Sequence, residues 1–208
     1  MILSKNDLLY YLECDRVALR CHTKKPRFMS DELWRFEILL RKREYLLNCP
    51  PEKKWYNFIS LFIHRIHSII LHIRYKRMQF KLGFSIPLNV FGPGLSIAHY
   101  GTIVVAEGAK VGANCRIHEG VTIGATNGTA DAAVIGDNVF IGSGAKIIGK
   151  VCISDNVSIA ANAVVVKDVI SENGCTVGGV PAKVISSSSS ELNLIKATDI
   201  VDKESIYL

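Results

Sequence analysis

A six-residue period dominates the second half of the chain. Between Val105 and Val165 an aliphatic side chain returns at every sixth position, with one lapse at Thr129. The aliphatic positions are Val105, Val111, Ile117, Ile123, Ile135, Ile141, Ile147, Ile153, Ile159 and Val165. An α-helix repeats about every 3.6 residues and a strand about every 2, so neither element explains the pattern. A hexapeptide period is typical of a parallel β-helix, in which six residues make one short strand and one corner.

A second column of residues supports this interpretation. Four positions after the large aliphatic side chain stands a small or slim one, at Cys115, Val121, Val139, Ala145, Val151, Val157 and Ala163. The large side chain fills the interior and the small one lets the chain turn. Neighbouring Gly and Asn residues accept the positive φ angles of tight corners. We therefore predict a mainly β fold, a hexapeptide-repeat parallel β-helix with an α-helical region before it.

The sequence divides into three predicted parts. Residues 1–82 form an α-helical N-terminal region, because apolar residues there recur at helical spacing. Residues 83–185 form the β-helix, since Gly83 marks the crossing into the six-residue pattern. Residues 186–208 begin with five consecutive serines and continue as a polar segment, which predicts a flexible linker and tail.

Three helices are predicted in the first part. Ser4 and Asp7 resemble a capping box that opens a helix over about 5–20. Ser30 is the expected N-cap of a second helix, and a third runs from about Tyr56 to Phe80.

The third helix combines an apolar face with basic flanks. Its apolar residues are Phe58, Phe62, Ile66, Ile69, Ile70 and Ile73, and no uncharged run is long enough to cross a bilayer. We expect this face to pack against the base of the β-helix or a neighbouring subunit. A peripheral contact with an anionic membrane is the alternative.

Two irregularities interrupt the repeat. A two-residue insertion is expected between Ile103 and Val105, where the aliphatic column changes phase. A loop is expected at 125–134, which is polar and lacks the aliphatic residue of its repeat. Such excursions gather on the functional face of repeat proteins, so we expect the site beside this loop.

Composition limits the function classes. Residues 1–90 carry 17 Lys and Arg against 8 Asp and Glu, whereas residues 91–208 carry 8 against 11. The basic half has no aromatic platform and no known nucleic-acid motif, so no nucleic-acid partner is predicted. Six cysteines without a CxxC pair or disulfide-framework spacing, and no secretion signal, predict a cytoplasmic protein.

Two histidines are the candidates for chemistry. His99 and His118 precede the predicted loop, and histidine is the usual general base near neutral pH. Taken alone, each could also be a solvated surface residue. Neither has companions at a metal-ligand spacing, so no metal is predicted, and no nucleotide-binding motif is present.

The stretch from Ile97 to Ala125, IAHYGTIVVAEGAKVGANCRIHEGVTIGA, resembles the core of serine acetyltransferases. It follows their pattern of a histidine, a Gly-rich corner and a G-V-T-L-G-G-like turn. The later IGSGAKIIG, IAANAVVVKDV and VGGVPAKVI resemble the acetyl-CoA-binding coils and closing segment of that family. The resemblance covers about half of the chain.

The resemblance implies a left-handed β-helix, homotrimers or dimers of trimers, and acetyl-CoA as acyl donor without a metal. It makes His99 the catalytic base that takes the proton of a hydroxyl acceptor. Backbone N–H groups at Gly124 and Ala125 would stabilise the oxyanion. The implied coenzyme-binding positions are Ser143 and Ala161 on the coils, with Lys167 and Lys183 as partners of the coenzyme phosphates. The alternative for both lysines is a purely solvated surface position.

The chain also departs from the family pattern. The aspartate that would orient the histidine falls on Phe84, and the one directly before the histidine is Ala98. The loop segment whose Arg and His would hold the carboxylate of serine has become TADAAV, residues 129–134. A neutral hydroxyl, such as a sugar of a surface polysaccharide, is therefore slightly favoured as acceptor over free serine.

The remaining acceptor-binding candidates are His118, Glu119 and Glu107. Glu107 or Glu119 could replace the missing aspartate beside His99, and a backbone carbonyl could orient the ring as well. The sequence thus predicts an acetyl-CoA-dependent O-acetyltransferase, with serine O-acetylation as the alternative. A non-catalytic hexapeptide scaffold is the alternative of another class.

Overall fold

The structure, a computed structural model, describes residues 1–27, 30–51, 58–126 and 131–203. Four helices lie in these ranges: α1 Lys5–Ala18, α2 Glu32–Asn48, α3 Phe58–Leu82 and the short α4 Ala197–Ile200. A 3₁₀ turn covers Ser190–Leu192.

Fourteen short strands follow α3 in the described part of the chain. They are β1 Phe84–Ser85, β2 Ser96–Ile97, β3 Ile103–Val105, β4 Lys110–Val111, β5 Arg116–Ile117, β6 Thr122–Gly124, β7 Val134–Ile135, β8 Phe140–Ile141, β9 Lys146–Ile148, β10 Cys152–Ile153, β11 Ser158–Ile159, β12 Val164–Val165, β13 Thr176–Gly178 and β14 Lys183–Ser186. They form sheet A (β1-β3-β6-β9-β12), sheet B (β4-β7-β10) and sheet C (β2-β5-β8-β11-β13-β14).

Each turn of the chain adds one strand to each sheet, so the sheets are the three faces of a coil. Every strand pair is parallel except β13–β14, which closes sheet C in the antiparallel direction. The predicted aliphatic column lines the interior, and Ile117, Ile123, Ile141 and Ile147 are completely buried. The predicted parallel β-helix is therefore present.

Strand register locates both irregularities of the repeat. Paired strands are 18 residues apart from β3 to β6 but 20 apart from β2 to β5, so the two extra residues lie in the corner 98–102. The predicted position between Ile103 and Val105 is wrong, because those side chains are both buried by simple alternation along β3. From β5 to β8 the spacing is 24 residues, which gives the predicted loop six extra residues between β6 and β7. Residues 127–130, including Thr129, lie outside the described ranges.

Asparagines line the corners between sheets B and C. Asn114, Asn138 and Asn156 have φ angles of 56°, 56° and 60°, in the left-handed region that Asn tolerates. Their side chains form a ladder: Asn114 Nδ2 donates to Asn138 Oδ1 at 2.9 Å, and Asn138 Nδ2 donates to Asn156 Oδ1 at 3.1 Å. The predicted role of Asn at tight corners is thus correct.

A buried charged network joins the helices to the first coil. Arg41 of α2 donates from Nε to Asp15 Oδ2 at 2.8 Å and from Nη1 to Glu44 Oε2 at 3.0 Å. The same guanidinium donates to the carbonyls of Phe91 (2.8 Å) and Gly92 (2.6 Å). These two carbonyls belong to the open end of the coil, so side chains replace the missing strand partner there.

Carboxylates of the same network cap backbone donors of the first coil. Asp15 Oδ1 accepts from the N–H groups of Gly94 and Leu95, each at 2.9 Å. Glu37 Oε1 accepts from the N–H of Ile97 at 2.9 Å. The helical region is thus bonded to the β-helix through polar groups as well as apolar contacts.

The helix starts follow the predictions in part. The capping box of α1 is present, since Asp7 N–H donates to Ser4 Oγ at 3.0 Å. The N-cap of α2 is Asp31 and not the predicted Ser30. Asp31 instead accepts from the backbone N–H of Arg27 at 2.6 Å, which fixes the chain before the helix.

Helix α3 packs by one side only. Leu71, Tyr75 and Leu82 are buried on that side, and Tyr75 donates to the carbonyl of Ile86 at 2.5 Å. The opposite side, here called the α3 apolar face, consists of residues that are 43–85% exposed: Phe58, Ile59, Phe62, Ile63, Ile66, Ile69, Ile70, Ile73 and Phe80. The expectation that this face packs against the base of the β-helix is wrong, because that contact is made by the other side. The expected start at Tyr56 lies outside the described residues.

The segment predicted as linker and tail, 186–208, contacts the β-helix over its described part. Ser190 is completely buried, and its hydroxyl donates to a carbonyl of the asparagine corners. Thr198 Oγ1 accepts from Asn114 Nδ2 at 2.7 Å. Ala197 is completely buried in a small cluster with α1, so this segment runs from the end of the coil back to the helices.

None of the helices in the described ranges has both the length and the hydropathy of a transmembrane span.

Candidate active site

The corners of the coil align into edges that carry the predicted site residues. The edge between sheets C and A, here called the histidine edge, consists of the corners 98–102, 118–121, 142–145 and 160–163. The edge between sheets A and B, here called the loop edge, includes the corners 106–109, 149–151 and 166–168 and the described loop residues 125–126 and 131–133. The predicted site residues divide between these two edges.

His99 and His118 come together on the histidine edge. Their ring centroids are 5.4 Å apart with an angle of 70° between the ring planes. His99 is exposed, whereas the side chain of His118 is 19% exposed and its ring meets Phe140 edge-on at 5.1 Å. One ring therefore faces solvent and an incoming ligand, and the other forms its floor.

Glu119 and Ser143 complete this group. His118 Nδ1 lies 3.4 Å from Ser143 Oγ and 4.0 Å from Glu119 Oε2. His118 Nε2 and Glu119 Oε2 are both buried, and neither has a hydrogen-bond partner in the described part of the chain. Two polar atoms are thus left to bind a group that the chain itself does not supply.

The local environment favours a neutral imidazole beside a charged carboxylate. Burial, followed by the positive charge of Arg116, lowers the pKa of His118, although Glu119 opposes the shift. A hydrogen bond with Ser143 is the main cause that lowers the pKa of Glu119. The neutral ring of His118 can therefore donate one hydrogen bond and accept another. The ionised carboxylate of Glu119 can pair with a cation or with a protonated imidazole.

Phe84 cannot orient His99. The side chain of Phe84 is buried and meets the ring of Phe36 edge-on at 5.0 Å, so this position belongs to the helix–coil core. Glu119 is the carboxylate that the fold brings to the two histidines. Gly101 makes room for it, because a Cβ at this glycine, whose φ is +138°, would lie 3.0 Å from the Cβ of Glu119.

Ser143 and Ala161 lie on the histidine edge in the next two coils above His118. Successive coils are about 4.8 Å apart, so Ala161 is about 14 Å above His99 along this edge. Ser143 is half-buried and Ala161 is exposed. These two predicted coenzyme positions therefore form one continuous line with the histidines.

The other predicted residues lie elsewhere. Glu107, Ala125 and Lys167 belong to the loop edge, and Gly124 is the last residue of β6 directly before it. All four lie on the far side of sheet A from His99. Lys183 is exposed on β14 at the closing end of sheet C. Within one chain the fold does not bring the oxyanion candidates or Glu107 to the histidines.

A cation beside the histidines was missed by the sequence reasoning. Arg116 points outward from β5, and its Nη1 donates to Ser96 Oγ at 3.0 Å. It lines a pocket of about 210 Å³ between the start of α2 and the first coil, together with Ala98, Tyr100 and Asp31. The available signal was its outward strand position two residues before His118.

One set of side chains could meet a metal ion. Among the described residues, ligand atoms of His99, His118 and Glu119 lie within 4.8 Å of one another. A tetrahedral zinc ion bound at 2.0–2.1 Å would need ligand atoms about 3.4 Å apart, so these side chains would have to close around it. That no metal is required stays a prediction.

Comparisons with known proteins give the family of the chain. The family model described as bacterial transferase hexapeptide (six repeats) matches residues 132–167. The serine acetyltransferase of Synechococcus elongatus is 37% identical over 115 residues, 54% of this chain and 46% of the relative. That of Staphylococcus xylosus is 33% identical over 146 residues, 62% of this chain and 67% of the relative. The chain belongs to the serine acetyltransferase family.

Solved serine acetyltransferases have the same fold. The structure from Brucella abortus has a TM-score of 0.68 at 26% identity and covers 89% of this chain and 72% of that one. The structure from Neisseria gonorrhoeae in complex with serine has a TM-score of 0.66 at 26% identity and covers 88% and 71%. The predicted fold class, a left-handed β-helix with an N-terminal helical region, is confirmed.

The serine acetyltransferases that match this chain extend beyond the aligned part. The alignment spans 46% of the Synechococcus elongatus relative and 64% of that from Helicobacter pylori. The residues matched by the family model, 132–167, lie in the β-helix.

Proposed function

We propose that this chain is an acetyl-CoA-dependent O-acetyltransferase and that its acceptor is the hydroxyl of free serine. The observation that carries the proposal is the histidine edge, where His99 faces solvent beside His118 and Glu119 in a chain of the serine acetyltransferase family. An exposed imidazole with a carboxylate behind it is the arrangement that a general base requires.

The reaction is a direct transfer to oxygen. His99 takes the proton of the serine hydroxyl while that oxygen attacks the carbonyl carbon of the acetyl thioester. The tetrahedral oxyanion then collapses, the C–S bond breaks, and the CoA thiolate leaves with the proton from the imidazolium. The products are O-acetylserine and CoA.

Glu119 is the positioning residue in this proposal. It replaces the aspartate that the family pattern leads one to expect at Phe84, since it approaches both histidines and keeps a buried oxygen without a partner in the described chain. A carboxylate there stabilises the imidazolium that forms when His99 accepts the proton. Glu107 is not proposed for this role, because it lies on the loop edge.

The pocket lined by Arg116 supports serine as the acceptor. The guanidinium of Arg116 can take the place of the loop Arg and His that the family pattern uses to hold the carboxylate of serine. Arg pairs with a carboxylate through two parallel hydrogen bonds. Asp31 and Glu32 line the same pocket and offer oxygen acceptors to an ammonium group. A free amino acid carries both groups, whereas a neutral sugar carries neither.

The sugar acceptor that the sequence slightly favours has less support. That preference follows from the loss of Arg and His from the loop, but Arg116 supplies a cation from strand β5. The relatives that match this chain are named serine acetyltransferases, and the similar structure from Neisseria gonorrhoeae is in complex with serine. We therefore propose the alternative that the sequence also predicts, which is O-acetylation of free serine.

The histidine edge offers the path for acetyl-CoA. Ser143 and Ala161 follow the histidines along it over about 14 Å, a span that suits an extended pantetheine arm. A second copy of the chain could complete the site if its loop edge faced the histidine edge of the first. Its Gly124, Ala125 and Lys167 would then lie near His99 of the first copy. We accordingly propose an assembly of identical subunits, with the site at their boundary.

The test is release of CoA thiol from acetyl-CoA by the purified protein, with serine, free sugars and nucleotide sugars as separate acceptors. Serine-dependent release is expected, and His99→Ala should lower kcat by about a hundredfold or more. Release with a sugar but not with serine would refute the acceptor. Absence of release with any acceptor would favour the non-catalytic scaffold.

Arg116→Gln tests the pocket. It should raise the KM for serine by about tenfold to a hundredfold, the value of a hydrogen bond to a charged group, and change kcat less. Arg77→Gln, an exposed arginine on α3, is the matched control and should leave both constants unchanged. An unchanged KM in Arg116→Gln would remove this residue from the proposed site.

A further inference from the structure

The α3 apolar face has no partner in the described chain. At about 100° per residue its nine side chains fall within an arc of about 140°. The side that packs on the protein is opposite, so the arrangement leaves a continuous apolar stripe along a helix of 25 residues. A stripe of this length is more than scattered surface hydrophobicity and indicates an interaction surface.

Charge on α3 has one sign. Its sequence contains Arg65, Arg74, Lys76, Arg77 and Lys81 but no Asp or Glu. On the helical wheel Arg65 and Arg74 flank the α3 apolar face, and Lys76 and Arg77 lie at its C-terminal end. Apolar side chains are thus bordered by cations on both sides.

A basic groove lies beside this helix. It has a volume of about 880 Å³ and an apolar floor that includes Trp34, Leu71 and Met78. Eight Lys and Arg side chains line it, whereas the one acid among its described lining residues, Glu13, is paired with Arg16 at 2.5 Å. Arg74 and Arg77 belong to both the groove and α3, so the two features form one surface.

We propose that this surface docks the protein on an anionic lipid bilayer. The α3 apolar face lies in the boundary between headgroups and acyl chains, with the helix parallel to the membrane plane. The flanking cations and the groove meet anionic phosphate headgroups. An apolar stripe with a basic border and no acid is the pattern of interfacial helices.

Charge complementarity decides between a membrane and a second copy of the chain. Two copies meeting through α3 would bring ten cations together, and α3 itself has no Asp or Glu to offset them. Lys81 of each copy pairs with Glu32 of α2 at 3.7 Å, which leaves Arg65, Arg74, Lys76 and Arg77 to repel their counterparts. An anionic bilayer neutralises the same charges and buries the same stripe. The proposal is independent of the acetyl transfer proposed above.

The test is co-sedimentation of the full chain with vesicles. Vesicles of phosphatidylglycerol mixed with phosphatidylcholine should bind the protein at low salt, and vesicles of phosphatidylcholine alone should bind it far less. Raising the salt concentration should weaken binding, because exposed charges are screened beyond about 10 Å at 0.1 M.

Ile63→Asp and Ile170→Asp form a matched pair for this assay. Ile63 is 60% exposed on the α3 apolar face, and Ile170 is 73% exposed on the β-helix. Ile63→Asp should weaken vesicle binding at least about tenfold, while Ile170→Asp should leave it unchanged. Arg74→Gln should weaken it about fivefold. Acetyl transfer to serine in solution should be the same in all three variants.

Three results would overturn the proposal. The first is no binding to the phosphatidylglycerol vesicles at low salt. The second is equal binding by Ile63→Asp and the unaltered protein. The third is a lower oligomeric state of Ile63→Asp in sedimentation velocity without vesicles, which would assign the face to a second copy of the chain.

Discussion

Replacement of Arg41 by Met should weaken the joint between the helices and the β-helix. Met keeps much of the side-chain volume but removes the charge and all hydrogen-bond donors. Arg41 is completely buried, and although burial disfavours its charge, Asp15 and Glu44 outweigh that effect and raise its pKa above the usual value. The substitution leaves two buried carboxylates and two backbone carbonyls without this donor.

The expected loss is about 3–5 kcal/mol of the free energy of unfolding, the usual cost of removing one partner from a buried ion pair. Domains of this kind have a total of about 5–15 kcal/mol, so Arg41→Met should be folded but marginal. Asp15→Asn in the Arg41→Met background should recover part of the loss. Asn is neutral and its Oδ1 can still accept from the N–H groups of Gly94 and Leu95.

Urea unfolding followed by circular dichroism measures these changes at one fixed protein concentration. Lys196→Met is the matched control, because the ion pair of Lys196 with Glu191 is solvent-exposed and should contribute less than about 1 kcal/mol. If Arg41→Met costs no more than Lys196→Met, the network does not hold the helices to the coil. A further loss of stability when Asp15→Asn is added to Arg41→Met would contradict the cost assigned to the unpaired buried charge.

Three further predictions concern the edges and the buried acids. Asn138→Ala should lower the free energy of unfolding in urea by about 2–3 kcal/mol, because it removes two ladder hydrogen bonds and places Ala in the left-handed region. Asn138→Gly should cost less, since Gly adopts a positive φ without strain. Equal losses would show that the left-handed backbone does not contribute. Burial, followed by the charge of Asp15, raises the pKa of Glu37 well above 4.5. The protonated Glu37 therefore contributes to folding stability in full below pH 4.5, and this contribution is lost as the pH rises through the pKa of Glu37 in the folded state. Glu37→Gln should therefore flatten the fall in thermal stability above pH 4.5, and an unchanged pH profile would contradict this. Gly101→Ala should displace Glu119 and lower kcat about tenfold to a hundredfold, and it should also lower the melting temperature, because a φ of +138° is strained for a residue with a Cβ. A wild-type kcat would show that the position of Glu119 does not matter for catalysis.

The coil could be predicted from the sequence because its period is set by local geometry. Each interior aliphatic residue and each left-handed corner residue repeats the same physical requirement, so Ile117 or Asn138 can be assigned without knowledge of the rest. The corner insertion was misplaced because Ile103 and Val105 are both interior residues of one strand. Periodicity alone cannot tell alternation within a strand from a change of phase.

The site could be predicted only where its residues are neighbours along one edge. His99 and His118 are separated by one coil, and the repeat therefore places them together. Arg116 and Asp31 meet across the boundary between the helices and the coil, which no sequence period describes. Arg41 looks like an ordinary helix-surface arginine until the fold buries it.

Each end of the coil is capped in part, and this limits how such molecules can stack. At one end, side chains of the helices occupy the backbone donors and acceptors of the first coil; at the other, antiparallel β14 covers β13 of sheet C. An uncovered coil end would present unpaired strands to an identical neighbour, and repetition of that contact would give an open-ended filament. The caps thus oppose the end-to-end stacking of identical chains into a filament.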